Sequence, residues 1–182
     1  MRTDVHAHLW SEGYLDRMAS YGREDTIAAM QLILAGYPSR YPRLRIVNSH
    51  LGGALPMLLP RADEHCRWEA PDVVEPPTVA ARRMWYDTVA HGRSPAVRLA
   101  AESYGADRLL LGTDFPYQSG DQLPRAVDFL HAALALEEAQ AVASRATKPL
   151  PRHPDTPTPR QPGPYGRNAS GVGADGGSNT ST

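Results

Sequence analysis

Strand-like and helix-like segments take turns along most of this 182-residue chain. Four strand-like segments lie at residues 3–10, 43–50, 84–88 and 107–114. Helical patterns lie between and after them, at residues 26–35, from Pro56 onward, and at 94–105, 121–133 and 135–146. Such alternation is typical of α/β folds, in which a helix connects each parallel strand to the next. We therefore predict an α/β domain with about four parallel strands over residues 1–148.

The C-terminal segment has a different composition. Residues 149–182 contain seven prolines and six glycines, and no Leu, Ile, Phe, Met or Trp follows Leu150. Such a segment cannot bury enough apolar surface to offset the entropy lost on ordering. We predict that residues 149–182 form a disordered tail.

Charge and composition exclude several classes of partner. The net charge is −1 and no basic run occurs, which argues against binding to nucleic acid. The apolar runs are shorter than the roughly 20 residues that a membrane span needs, so no membrane partner is expected. A lone cysteine, Cys66, and an N-terminus without a signal-peptide pattern predict a cytoplasmic protein.

Two histidines lie close to the start of the chain, in the segment TDVHAHLW. Along a strand, residues two positions apart point to the same face, so His6 and His8 would project side by side. Neutral imidazole is a common zinc ligand, and two imidazoles on one rigid strand lose little entropy when they bind an ion. The alternative is that both histidines are half-exposed and hydrogen-bonded near a strand end.

The other predicted strands also end in polar residues. His50 ends the second strand, Asp87 the third and Asp114 the fourth. Active sites of parallel α/β folds form at the carboxyl ends of the strands. Alone, His50 is typical of a packed loop and Asp114 of a turn before Pro116, but together these endings predict a metal-binding active site. His91 follows the third strand and could also reach this edge, but a loop histidine is the favoured interpretation.

Three segments carry a resemblance to a known family. TDVHAH, YPRLRIVNSHLGGALPMLLPRAD and MWYDTVAHGRSPAVRLAAESYGADRLLLGTDFPY, in this order, resemble the amidohydrolase-related family. Within that family, the most similar branch is the one typified by aminocarboxymuconate-semialdehyde decarboxylase. The resemblance implies a (β/α)8 barrel that binds one divalent ion, with zinc as the expected metal.

The resemblance also implies roles for individual residues. His6, His8 and Asp114 would be metal ligands, and His50, in the motif H-x-G-G, would be the acid–base histidine that acts with Asp114 on a metal-activated water. Arg61 would hold the carboxylate of a small substrate, often across a homodimer interface. The reaction would be hydrolysis or decarboxylation, and the sequence does not choose between them.

The chain departs from the family in length. A (β/α)8 barrel takes about 250 residues, whereas residues 1–148 hold only about four strands. We expect an incomplete barrel that lacks its middle units, one of which carries the third histidine ligand of the family. No lysine precedes Lys148, so a two-metal site bridged by a carboxylated lysine is excluded. The alternative function is a non-catalytic remnant with an incomplete metal site, and open sheet edges would favour self-association.

Overall fold

The computed structural model describes residues 23–147 and 149–150. The helices are α1 (Arg23–Leu34), α2 (Tyr37–Arg40), α3 (Leu55–Glu69), α4 (Pro77–Ala81), α5 (Ser94–Tyr104), α6 (Gln122–Ala133) and α7 (Leu136–Arg145). The strands are β1 (Val47–Asn48), β2 (Trp85–Asp87) and β3 (Leu109–Leu110), and short 3-10 turns span His50–Gly52 and Ala106–Arg108. The first predicted strand, residues 3–10, and all but two residues of the predicted tail lie outside the described residues. The disorder of the tail and the domain boundary at 148 therefore stay predictions.

The three described strands form one parallel sheet in the order β1-β2-β3. Val47 pairs with Trp85 in one ladder, and Tyr86 pairs with Leu109 in the next. Helices α3 and α4 connect β1 to β2, and α5 connects β2 to β3, so the predicted α/β fold with a parallel sheet is confirmed. The strands are shorter than predicted, because a 3-10 turn starts at His50 soon after β1 and another ends at Arg108 directly before β3.

Helices cover the sheet with an apolar core in which two tyrosines stack. The rings of Tyr86 (β2) and Tyr104 (α5) lie 3.7 Å apart between centroids, with 4° between their planes. Tyr86 donates a hydrogen bond to the Ala81 carbonyl oxygen at 3.0 Å, and Tyr104 donates one to the Leu51 carbonyl oxygen at 3.1 Å. Burial raises the pKa of both phenols well above the ordinary value, because the charged form cannot be hydrated in the core.

The helices differ from the prediction mainly at their ends and in number. Helix α1 starts at Arg23, three residues before the predicted start at residue 26, and the Thr26 hydroxyl accepts the Ala54 N–H at 2.8 Å. Two short helices, α2 and α4, were not predicted. Within residues 23–147, no helix is long and apolar enough to cross a membrane.

The loop before α4 is tied to the sheet by a carboxylate. Glu75 accepts two hydrogen bonds from the Arg83 guanidinium, at 2.6 Å from Nε and 2.8 Å from Nη2. The Ser39 hydroxyl of α2 also donates to Glu75. The side chains of Glu75 and Arg83 are only 14% and 12% exposed, so this ion pair links α2, the loop and the start of β2 with little access for water.

Arg145, the last residue of α7, reaches the outer edge of the sheet. Its Nη1 donates to the carbonyl oxygens of Ala106 at 2.9 Å and Leu109 at 2.6 Å. Strand β3 pairs with β2 on one side only, among the strands described above. Partial burial lowers the pKa of Arg145 from its ordinary value, mainly through loss of hydration.

Candidate active site at the carboxyl edge of the sheet

The carboxyl edge of the sheet collects four polar residues from three strand ends. His50 lies two residues after β1, Asp87 is the last residue of β2, His91 follows in the next loop, and Asp114 lies four residues after β3. Because the strands are parallel, their carboxyl ends meet at one edge. The structure thus brings His50 and Asp114 to the same edge.

Asp87 joins the first two strand ends. This carboxylate is 1% exposed, and its Oδ1 accepts the His50 N–H at 2.8 Å and the Val89 N–H at 3.1 Å. One oxygen therefore holds the backbone of the loop after β1 against the loop after β2.

His91 connects the remaining groups. Its ring stacks on the His50 ring, with centroids 6.1 Å apart and 15° between the planes. His91 Nε2 lies 3.5 Å from Asp114 Oδ2, and His91 Nδ1 lies 2.8 Å from Gln118 Nε2. Asp114 is 5% exposed, whereas the His91 side chain is 60% exposed. The edge therefore presents a buried carboxylate beside an imidazole that solvent or a ligand can reach.

Three of these residues share a strained backbone. His50, His91 and Asp114 have φ values of 49°, 47° and 62°, in the left-handed region that residues with a Cβ seldom adopt. Each such residue costs on the order of 1–2 kcal/mol, and such strain persists where the surrounding structure enforces it, often at functional sites. Leu51, next to His50, is the fourth non-glycine residue with positive φ among those described.

A cavity of about 530 Å³ opens beside His91. Its wall includes Thr88 and Thr113 from the strand ends and Arg125 and Phe129 from α6. The volume falls in the range of sites for small ligands, and the wall combines apolar surface with a few polar groups.

Arg61 lies elsewhere. It is exposed on α3 and lines a second groove, of about 390 Å³, together with Met30, Leu34 and Leu58. None of the four polar residues of the carboxyl edge lines that groove. Within one chain, the structure therefore does not bring Arg61 to the cavity beside His91.

Asp114 is the one predicted metal ligand that lies within the described residues. His6 and His8 lie outside them, and residues 23–147 contain no cluster of three His, Cys, Asp or Glu side chains that could hold an ion. The carboxylate oxygen of Asp114 and the nearby imidazole nitrogens are ligand types that zinc and manganese accept. In donor type, the edge therefore fits a divalent ion.

The sequence assigns no specific role to two residues of this edge. It favours a loop position for His91 over a place at the rim, and it marks Asp87 only as one of the polar strand endings that together predict the active site. The signal available for both was their position at or just after the end of a strand that runs parallel to those ending near His50 and Asp114.

Comparison with known proteins finds an amidohydrolase profile and several decarboxylases that are similar to this chain. A profile described as Amidohydrolase matches residues 2–148. The gamma-resorcylate decarboxylase of Rhizobium sp. (strain MTP-10005) is 30% identical over 132 residues, covering 68% of this chain and 38% of that protein. The 2-amino-3-carboxymuconate-6-semialdehyde decarboxylase of Dictyostelium discoideum is 29% identical over 133 residues, covering 66% of this chain and 36% of that protein.

Solved structures give the same picture of the fold. The 5-carboxyvanillate decarboxylase of Sphingomonas paucimobilis matches with a TM-score of 0.62 and 28% identity, over 79% of this chain and 47% of that one. A dihydroxybenzoic acid decarboxylase from Polaromonas sp. JS666, solved with bound manganese and 2-nitroresorcinol, matches with a TM-score of 0.62 and 19% identity, over 78% and 47%. The chain spans less than half the length of each of these four proteins.

Proposed function

The chain belongs to the amidohydrolase family, and from this premise we propose that it acts as a metal-dependent decarboxylase of a small carboxylated aromatic substrate. Support for this reaction comes from the relatives, which are named for the decarboxylation of resorcylate, carboxymuconate-semialdehyde and carboxyvanillate. The observation that carries the proposal is the carboxyl edge itself. There His91 lines a cavity of suitable size and contacts both His50 and Asp114, and all three residues have a strained backbone conformation.

The proposed metal ligands are His6, His8 and Asp114, as the family resemblance implies. A divalent ion at this place would supply a Lewis acid that polarises a substrate oxygen. Zinc is the ion expected from the resemblance, whereas the Polaromonas relative was solved with manganese, so both ions belong in the test.

The protein side chains would handle the proton. Decarboxylation breaks the bond between the ring carbon and the carboxylate, and carbon dioxide leaves while the electron pair stays on the ring carbon. That carbon must then receive a proton, and we assign its transfer to the His50 imidazole. Asp114 is the second group at the edge that could hold a proton. Because Asp114 is buried and His91 is exposed, the substrate would approach from the His91 side.

Hydrolysis, the other predicted reaction, would use the same residues with water as the attacking group. The named relatives favour decarboxylation. The non-catalytic remnant is the second candidate, and one observation favours it: among residues 23–147, no three His, Cys, Asp or Glu side chains form a cluster that could hold an ion.

The test is metal binding and turnover by the full 182-residue chain. The purified protein is loaded with Mn²⁺ or Zn²⁺, bound metal is counted by mass spectrometry, and carbon dioxide release from 2,6-dihydroxybenzoate is measured. We expect one ion per chain and measurable release. A chain that is folded but binds no metal and releases no carbon dioxide would establish the remnant instead.

Variants assign the roles within the site. His6→Ala and His8→Ala should each abolish tight metal binding, whereas His50→Ala should keep the metal and lower turnover by about 10² to 10⁴. His131→Ala is the control, because His131 is exposed on α6 and does not line the cavity. Loss of metal in His50→Ala would make His50 a ligand, and full metal binding in the His6/His8 double variant would refute the ligand assignment.

A further inference from the structure

Asp87 is a buried carboxylate that the proposed reaction does not use. It is 1% exposed, and its Oδ1 accepts amide hydrogens from two different loops, the His50 N–H at 2.8 Å and the Val89 N–H at 3.1 Å. A buried carboxylate is costly unless hydrogen bonds compensate for its lost hydration. Here part of that compensation comes from the backbone of the very residue to which proton transfer is assigned.

A glycine two residues after β3 leaves room for this carboxylate. A methyl group at Gly112 would lie 2.8 Å from Asp87 Cβ, closer than Cβ atoms approach in proteins, and 3.0 Å from Val89 Cγ2. Gly112 therefore allows Asp87 to lie between the ends of the other two strands. All three strand ends contribute to the arrangement.

The hydrogen bond to His50 also bears on strain. His50 has a φ of 49°, which an L-residue adopts only at a cost, and Leu51 follows with 58°. Tyr104 holds this turn from the core side through the Leu51 carbonyl, and Asp87 holds it from the sheet side through the His50 amide. The side chain of His50 then stacks on His91, beside Asp114.

We propose that Asp87 is the positioning residue of this site. By accepting the His50 and Val89 amide hydrogens, it fixes the loop after β1 to the loop after β2 and keeps His50 in the left-handed conformation that stacks its ring on His91. Asp87 acts through His50 and does not contact the substrate. Only the role of His50 in proton transfer rests on the proposed function; the positioning of His50 by Asp87 does not.

The first test measures the His50 amide directly. Hydrogen exchange at this amide is followed by NMR in Asp87→Ala, Asp87→Asn and the control Asn48→Ala. Asn48 is also buried and bridges β1 and β2, donating to the Trp85 carbonyl oxygen at 3.3 Å, but it does not touch the His50 amide. We expect exchange about tenfold faster in Asp87→Ala, and within about threefold of wild type in Asp87→Asn, which keeps an acceptor oxygen.

Two outcomes of the exchange experiment would contradict the positioning role of Asp87. Unchanged exchange and unchanged His50 and His91 ring shifts in Asp87→Ala would overturn the proposal. Equal acceleration in Asp87→Ala and Asn48→Ala would do so as well, because the effect would then be a general loosening of the sheet.

A glycine at position 50 tests the same link through stability. His50→Gly removes the strain at position 50, since glycine adopts positive φ freely. If Asp87 enforces that strain, the turn in Asp87→Ala can relax and recover part of the strain energy, whereas the His50→Gly chain has none to recover. Asp87→Ala should therefore lower the melting temperature more in His50→Gly than in wild type. His91→Gly is the matched control, as it relieves similar strain at a residue whose amide Asp87 does not bind. Equal losses in both glycine backgrounds would overturn the proposal.

Turnover separates this inference from the proposed function. With Mn²⁺ and 2,6-dihydroxybenzoate, Asp87→Ala should lower kcat and leave KM nearly unchanged, and Asp87→Asn should recover most of kcat. If the wild-type chain releases no carbon dioxide, the proposed function fails while the exchange and melting experiments still decide the role of Asp87. A change in KM alone, with exchange unaltered, would overturn the positioning role.

Discussion

Tyr104 stabilises the turn that contains His50 through its hydroxyl group. It is buried, it stacks on Tyr86, and its hydrogen bond to the Leu51 carbonyl oxygen is 3.1 Å long. Burial raises the pKa of both tyrosines, so the folded protein keeps their protons at a pH where an unfolded chain loses them. The free energy of unfolding should therefore fall at alkaline pH.

The sign of this dependence follows from proton counting. Above a pH of about 10, the unfolded chain releases tyrosine protons that the folded chain retains, so the free energy of unfolding falls as pH rises. Tyr104→Phe removes one of these groups and should make the fall shallower. It should also cost about 1 kcal/mol at neutral pH through the lost hydrogen bond to Leu51. Urea denaturation between neutral pH and pH 11 measures both effects, and an unchanged slope in the variant would contradict the assignment.

At the residue scale, the sequence could predict which residues meet at the carboxyl edge from their positions at the ends of strands. The rule that parallel strands end at one edge placed His50 and Asp114 together, and the structure agrees, while their chemical roles remain predictions. The approach of His91 to Asp114 depends on how two loops 23 residues apart in sequence fold against each other, so the sequence alone favours an ordinary loop position for His91. Nor does the local sequence indicate that Asp87 accepts a hydrogen bond from a backbone amide 37 residues earlier.

At the scale of elements, two helices offer competing arginines for the substrate carboxylate. Helix α3 carries Arg61, which the family resemblance assigns to this role and which lines the groove away from the carboxyl edge. Helix α6 carries Arg125, which lines the cavity beside His91. Within a single chain, the family resemblance thus assigns the substrate carboxylate to Arg61, whereas the position of the cavity favours Arg125.

Binding of 2,6-dihydroxybenzoate distinguishes these arginines. If the cavity beside His91 binds the carboxylate, Arg125→Ala should weaken binding about tenfold, the effect of one charge-assisted hydrogen bond, and Arg61→Ala should not. Titration calorimetry on metal-loaded protein gives the dissociation constants. Loss in Arg61→Ala alone, and only at concentrations where the chain is dimeric, would instead support the role across a homodimer interface.

The Glu75–Arg83 ion pair makes a prediction about how α2 and the loop before α4 are held. Glu75→Ala removes a bidentate carboxylate from a guanidinium that is 12% exposed, and breaking such a pair from one side should cost about 3 kcal/mol. Arg82→Ala is the control, because Arg82 is exposed and its Nε donates one hydrogen bond, to the Ser103 carbonyl oxygen. Urea denaturation of both variants measures the difference, and equal losses would show that the ion pair adds little.

Long elements were predictable and short ones were not. Helices α5, α6 and α7 have enough turns to show an apolar face, and each was predicted to within two residues. Helices α2 and α4 have four and five residues, too few for a periodic pattern, and their prolines at the first turn also suit a loop. The strands are also shorter than predicted, since the ends of such short strands are set by the turns beside them, which a local pattern does not show.

At the scale of the whole molecule, the family resemblance is confirmed, and the incomplete barrel stays a prediction. The match to the amidohydrolase profile covers residues 2–148, and one of the named relatives belongs to the branch that the sequence predicted. The described part contains three parallel strands, which agrees with a portion of a (β/α)8 barrel. Barrel closure depends on contacts between distant units, which a local pattern does not show.

An incomplete barrel should associate. Exposed apolar side chains include Met57 at 72%, Trp68 at 66% and Phe115 at 57% of their full surface. Together with the open sheet edges expected of an incomplete barrel, they favour contact between copies. We expect light scattering after size exclusion to give a mass above that of one 19.9 kDa chain, rising with concentration. A monodisperse monomer at every concentration would contradict this expectation.

Arg145 limits the form that such association can take. An exposed strand edge is a template on which further copies can add without end, as in a fibre. On β3, the outward Leu109 carbonyl oxygen is already occupied by a guanidinium, and a second copy that approached along this edge would bring an identical positive charge against it. Polymer growth through β3 would have to displace that side chain and face this repulsion at every step. Contact through the apolar helix surfaces does not meet this charge, so copies of this protein should associate through those surfaces and not by adding strands at β3.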